Sequence, residues 1–227
     1  MLFKNKQNNL SNITLPILRL NNQIIERVNK FLYLGIYMDE DLTWEPHINH
    51  ISNKISKNNG ILRRLKHTVP KHILKTIYFS LIHPHLNYGT LLWGFNLERL
   101  DILQKKAIRI ISHSYNIAHT SNLFKQLNIL KVEDIFKLKQ MVFYYKFIHN
   151  KLPNAIKNIL TAETRILRLA HTAFFLKLPP LANTEYAKKC IRHSIPELIN
   201  NSDKNVIDNL KTWSLPCLKI HFKSETL

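Results

Sequence analysis

The first forty residues alternate short apolar runs with asparagine and charge. Residues 13–20, 23–28 and 31–38 each read as a strand. Asn21-Asn22, between the first two runs, suits a type I′ turn because asparagine tolerates positive φ. Gly35 lies inside the third run, where a glycine marks a bulge or a close approach of another backbone. Three or four strands of this length make a sheet that is marginal in water and needs a covering partner.

After Thr43 the apolar period changes from two to about 3.6. Thr43 is placed to cap a helix running to about His67, with Trp44, Glu45 and Pro46 in its first turn. On that helix Ile48, Ile51, Ile55 and Leu62 share one stripe, and His47, His50, Lys54, Lys57 and Arg64 share a neighbouring one. Pro70 opens a second helix over 71–83, Pro84 ends or kinks it, and the apolar pattern continues to Gly94. A third helix over 96–112 carries Leu100, Leu103, Ala107 and Ile111 on one stripe, with Lys105, Lys106 and Arg109 elsewhere. A short helix over 121–127 follows, capped by Thr120. Residues 132–150 then give the strongest amphipathic pattern, with Ile135, Leu138, Val142 and Tyr145 toward the core and Pro153 as punctuation. Two prolines predict extended chain over 176–183. Residues 202–215 read as a helix capped by Ser202 or Asp203 and stopped near Pro216. The predicted fold class is mainly α: a small N-terminal antiparallel β-sheet, a basic helical bundle, and a helical C-terminal extension.

Charge sharpens this picture. A formal net charge of +18 over 227 residues is costly in self-repulsion unless a polyanion neutralises it. Nucleic acid is the first partner implied, a membrane surface the second, and a generally lysine-rich proteome the plain alternative. Residues 46–97 contain no acid, yet hold Lys54, Lys57, Arg63, Arg64, Lys66, Lys71, Lys75 and six histidines. A merely solvated helix face mixes both signs, so an acid-free window this long points to a surface facing phosphates. Hydrophobic residues make up 45% of the chain, too many for a disordered one. The two cysteines, Cys190 and Cys217, stand far apart and without partners at zinc spacing. That excludes a disulfide framework or zinc knuckle and predicts a reducing, intracellular setting, nuclear or cytoplasmic. Every apolar run is broken by Lys, His or Asn before transmembrane length, so no membrane partner is expected, and the N-terminus lacks a signal-peptide pattern.

Two clusters suggest chemistry. Asp39, Glu40 and Asp41 could hold a divalent cation, since hard cations take clustered carboxylates. Adjacent residues on a strand point in opposite directions, however, and the plainer reading is an acidic turn before a helix N-terminus. His47 and His50 are three apart, and His83 and His85 bracket a proline, but neither pair has a third ligand at metal spacing. No Gly-rich phosphate loop, nucleophile elbow, HExxH or Cys/His arrangement occurs. The residues alone therefore predict no catalytic and no metal site.

The run "KFLYLGIYMDEDLTWEPHINHISNKISKNNGILRRLKHTVPKHILKTIYFSLIHPHLNYGTLLWG" resembles the C-terminal part of non-LTR (LINE-type) retrotransposon reverse transcriptases. "YLGI", "LTWEPHINHISNKISK", "ILRRL", "LLWG", "LQKKAIRII", "LFKQLNILKVEDIFKLKQMVFYYKF" and "AKKCIRHSIPELINN" carry the likeness over nearly the whole chain. Ala187 departs from it, where such elements commonly have glycine before the paired lysines. The resemblance implies a palm remnant over 1–42, a thumb-like basic bundle over 43–115 and a post-polymerase extension over 116–227. It implies that Tyr33, Leu34 and Gly35 form a primer-grip-like element, and that helices after Thr43 lie against a template–primer duplex. The implied phosphate contacts are His50, Lys54, Lys57, Arg63, Arg64, Lys66, Lys105, Lys106 and Arg109. Family polymerases hold magnesium with palm aspartates, including an aromatic-Ala-Asp-Asp turn. That tetrapeptide does not occur here, so no cofactor and no catalysis are expected of this chain alone. The expected partners are an RNA/DNA hybrid or duplex and the absent palm and fingers. Two other readings stay open: a basic adaptor for RNA or protein without polymerase function, and the product of a decayed open reading frame.

Overall fold

A computed structural model describes residues 17–115, 117–160, 162–166, 172–176, 190–202 and 204–226. The chain divides into two compact units, Met1–Lys54 and Ile55–Leu227. The fold is mainly helical, with antiparallel hairpins at its N-terminal end.

The first unit holds two separate hairpins. Strands β1 (Arg19–Leu20) and β2 (Gln23–Ile24) pair antiparallel. Asn21 and Asn22 join them at φ 50° and 64°, as their tolerance of left-handed backbone predicts. The predicted run over 31–38 is in fact two strands, β3 (Lys30–Tyr33) and β4 (Ile36–Asp39), in register Lys30↔Asp39 and Tyr33↔Ile36. Leu34 and Gly35 form the turn at φ 47° and 78°. Gly35 is thus a turn residue and not a bulge: a two-residue I′ turn needs positive φ at both positions, which glycine adopts freely. Residues 13–16 of the expected first strand and residues 177–183 and 187 lie outside the described residues.

Helix α1 (Glu45–Leu65) begins one residue later than predicted and ends two residues earlier. The carbonyl of Trp44, not that of Thr43, accepts the first helical hydrogen bond, from Ile48 N–H at 2.9 Å. The apolar stripe is as read, since Ile48, Ile51, Ile55 and Leu62 are all buried. Gly60 lies on its exposed face, and a methyl group added there would meet nothing within 4 Å. Gly60→Ala should therefore raise stability by about 0.5–1 kcal/mol through helix propensity, measured by urea denaturation.

The second unit packs the remaining helices. Helix α2 (Lys71–Leu81) stops at Ile82, and Pro84 sits in the first turn of α3 (His83–Asn87), where a missing N–H costs nothing. Helices α4 (Thr90–Trp93), α5 (Glu98–Ile111) and α6 (Ser121–Leu127) follow, then α7 (Val132–Ile148). Gly94 closes α4. A Cβ there would press on Thr90 O and come 2.5 Å from Phe136 Cδ2. Gly94→Ala should lower stability by roughly 1–3 kcal/mol through overpacking, read in the same denaturation experiment.

Helix α7 differs from expectation. Val132, Ile135, Gln140, Met141, Phe143, Tyr144 and Tyr145 are buried, and these positions run right round the helix. It is a central helix and not a one-faced one: α3, α4 and α5 pack on it, and so do α8 (Ile191–Asn200) and α10 (Leu215–Thr226). Between α7 and α8 a 3₁₀ turn (Asn154–Ile159) leads to an unpredicted hairpin, β5 (Ala162–Ile166) with β6 (Thr172–Leu176). Asn200 pins β6 to α8, accepting from Leu176 N–H and donating to Leu176 O, both at 3.1 Å. Helix α9 (Lys204–Asn209) is short. Ser202 does not cap it, because its hydroxyl donates back to Leu198 O at 2.7 Å; Asp203 lies outside the described residues. Pro216 starts α10 where it was expected to stop a helix, since proline fits a first helical turn as well as it breaks an interior.

Candidate nucleic-acid interface

The acidic triplet that precedes α1 is a structural turn. Asp39 Oδ2 accepts from Thr43 N–H at 2.9 Å and from its hydroxyl at 2.7 Å, while Oδ1 accepts from Trp44 N–H at 3.0 Å. Both carboxylate oxygens are taken up by backbone that is strained, with Leu42 at φ 54° and Trp44 at φ 62°. Glu40 pairs with Arg27 at 3.2 Å. Among the described residues no three His, Cys, Asp or Glu side chains are grouped as metal ligands. A cleft of about 680 Å³ opens here, lined by Lys30, Tyr37, Asp41, Glu45, Asn49 and His50 among others.

His47 and His50 part company. His47 is 2% exposed, and its Nδ1 accepts from Tyr37 N–H at 3.4 Å. It belongs to the core of the first unit and not to the basic stripe. Burial, then the His50 and Lys54 charges, push its pKa down from 6.5 to about 4. The unfolded chain therefore binds one more proton between pH 6.5 and 4, so stability is full above 6.5 and falls as the pH drops through that window. The expected loss is roughly 3 kcal/mol. His47→Asn keeps an acceptor but cannot titrate, and should flatten this slope in denaturation curves; an unchanged slope would assign it elsewhere. His50 stays half-buried, its ring edge-on to Tyr37 at 4.9 Å.

Lys54, Lys57 and Arg64 are exposed on α1 away from its buried isoleucines, with His50 one turn before them. Arg63 is exposed too but lies about 100° round from Arg64. Lys66 is half-buried just past the helix end. On α5, Lys106 is exposed, Lys105 pairs with Asp101, and Arg109 Nε donates to Ala118 O at 3.0 Å. Arg109 thus ties down the loop before α6 as well as offering charge.

Sequence comparison shows what the chain resembles. Over 132 residues, 55% of its length, the chain is 30% identical to the probable RNA-directed DNA polymerase from transposon BS of Drosophila melanogaster. Over 154 residues, 62% of its length, it is 29% identical to the RNA-directed DNA polymerase from mobile element jockey of the same fly. The probable polymerase from transposon X-element matches at 26% over 119 residues. Over about half of its length or somewhat more, the chain is thus similar to RNA-directed DNA polymerases of non-LTR retrotransposons. The matched stretches span 14%, 16% and 13% of the lengths of these relatives. No family model and no solved structure matches it.

In this chain Tyr33, Leu34 and Gly35 occupy the tip of the β3–β4 hairpin. Tyr33 is 58% and Leu34 72% exposed. These side chains therefore contribute no burial to a core. The basic row on α1 was legible from spacing. The buried Gln104 was not: it sits beside Lys105 and Lys106, yet its amide donates to Tyr78 Oη and Leu130 O, both at 2.9 Å, and accepts from Val132 N–H at 2.8 Å. A glutamine next to two lysines reads as surface; only the assembled fold reveals its role.

Proposed function

We propose that this chain is a duplex-gripping portion of a retrotransposon RNA-directed DNA polymerase, holding template–primer by its phosphates without reading sequence. The observation that carries this is the row of Lys54, Lys57 and Arg64, exposed on one face of α1 within a stretch of 52 residues, 46–97, that has no acid. Cations so placed bind any polyphosphate backbone and carry no base-specific information. Kinship to polymerases of mobile elements supplies the substrate class. Tyr33, Leu34 and Gly35 act as the primer-grip-like tip, with residues 1–42 as palm remnant, 43–115 as thumb and 116–227 as extension. The chain supplies grip and no nucleotidyl transfer, because its acidic triplet holds a turn. Magnesium belongs to the intact polymerase.

The test pairs two measurements on the purified chain with an RNA/DNA template–primer. Fluorescence anisotropy should show binding that weakens steeply with salt. Primer extension with magnesium and all four nucleotides should give no product. Incorporation by the chain unaided would overturn the division of labour, and absence of binding would overturn the grip.

A further inference from the structure

A further acid-free stretch, one of several, runs from residue 135 to residue 162 and holds Lys137, Lys139, Lys146, Lys151 and Lys157. Lys139 and Lys146 are seven residues apart, so they share a face of α7 about 10 Å apart along its axis. Helix α10 packs on α7 and buries Leu218 in the common core, with Phe222 packed against it. Lys219 and Lys223, one turn apart, therefore flank the seam between the two helices. Helix α3 packs on α7 as well and brings His83.

Two of these groups, Lys139 and His83, feel the charges of the others. Lys139 is half-buried, and its pKa is lowered by burial first, then by Lys219 and Lys146. That of His83 is lowered by burial, then by Lys139 and Lys223. The acids of α7 and α10 are paired or stand in the first turn, while Asp208 lies near Tyr144 of α7 and α8 carries Glu197. Glu225 of α10 pairs with His221 at 3.1 Å, and Asp208 of α9 with Lys211 at 3.1 Å. Glu133 and Asp134 stand in the first turn of α7, and α3 has none. Converging like charges from three helices lowers stability unless an anion is there to neutralise them. Lys146 and Lys219 are exposed and free to reach one.

We infer that Lys139, Lys146, Lys219 and Lys223, with His83 at their edge, form a second phosphate-binding surface that takes the backbone of a nucleic-acid strand. It extends the nucleic-acid-binding reading above but stands on different helices, so the two can fail separately. A lone phosphate would need a closed cradle; an open row along two helices suits a run of phosphates.

The experiment uses the full chain, a short labelled RNA/DNA hybrid and a salt series. The variant Lys146→Gln with Lys219→Gln and Lys223→Gln is compared with wild type and with the α1 variant Lys54→Gln, Lys57→Gln, Arg64→Gln. The seam variant should lose about 2–3 from the slope of log K against log salt and bind on the order of 10²-fold more weakly at ~0.1 M salt. Lysine-to-arginine changes at the same three positions should bind as wild type. Wild-type affinity and slope in the seam variant would overturn this inference while leaving the α1 reading intact. Loss confined to the seam variant would sustain it and overturn the α1 reading instead, and no binding by wild type would overturn both. Should the triple variant melt early, the single exposed change Lys219→Glu must weaken binding at an unchanged melting temperature for the inference to stand.

Discussion

Replacing Lys54, Lys57 and Arg64 together with glutamine is expected to weaken duplex binding on the order of 10²-fold at ~0.1 M salt, equally for every sequence tried. Each cation that neutralises a phosphate releases about 0.9 of a counterion, so three lost contacts should lower the log–log salt slope by about 2.7. The three side chains are exposed, and the buried Ile48, Ile51, Ile55 and Leu62 are untouched, so the melting temperature should hold. A thermal melt on the same samples separates lost binding from lost fold. Unchanged affinity would place the duplex on another surface of the chain.

Gln104→Leu should be the most damaging conservative change to the fold. Gln104 is 0% exposed and commits its whole amide to three partners: the Tyr78 hydroxyl, the Leu130 carbonyl and the Val132 N–H that opens α7. Leucine fills nearly the same volume but leaves those three groups buried and unpaired, each costing about 1–3 kcal/mol. Relaxation recovers part, so the expected loss is roughly 3–5 kcal/mol, a large share of a typical domain stability of about 5–15 kcal/mol. Tyr78→Phe removes only one partner and should cost about 1 kcal/mol. Burial also pushes the Tyr78 pKa well above the usual phenol value, so its hydroxyl stays protonated at any working pH and its bond to Gln104 does not titrate. Guanidinium denaturation of both variants would read the difference; a Gln104→Leu loss under about 1 kcal/mol would mean that water reaches the site.

What the sequence disclosed and what it hid follow from range. The α1 stripe was legible because its four buried residues repeat at 100° on one helix, which needs no knowledge of the partner. The Asn21-Asn22 turn was legible because asparagine announces left-handed backbone. The Leu34-Gly35 turn was not, since leucine rarely adopts φ 47° and the flanking residues are uniformly apolar. Helix α7 read as one-faced because the helices covering its outer side, α8 and α10, arrive only much later in the chain. His47 and Lys139 make the same point from opposite directions. One looked like part of a basic row and is core; the other, unmarked in the sequence, is half-buried and feels the charge of a lysine from another helix. Arg109 looked free until Ala118 folded back onto it.

The most direct test of the account is equilibrium binding of the full chain to two RNA/DNA hybrids of equal length and unrelated sequence, across a salt series. A surface that grips phosphates should give equal affinities for the two and a steep, linear loss of log K with log salt. Affinity that ignores salt, or that separates the two sequences by the ~10³-fold or more expected of base readout, would contradict it.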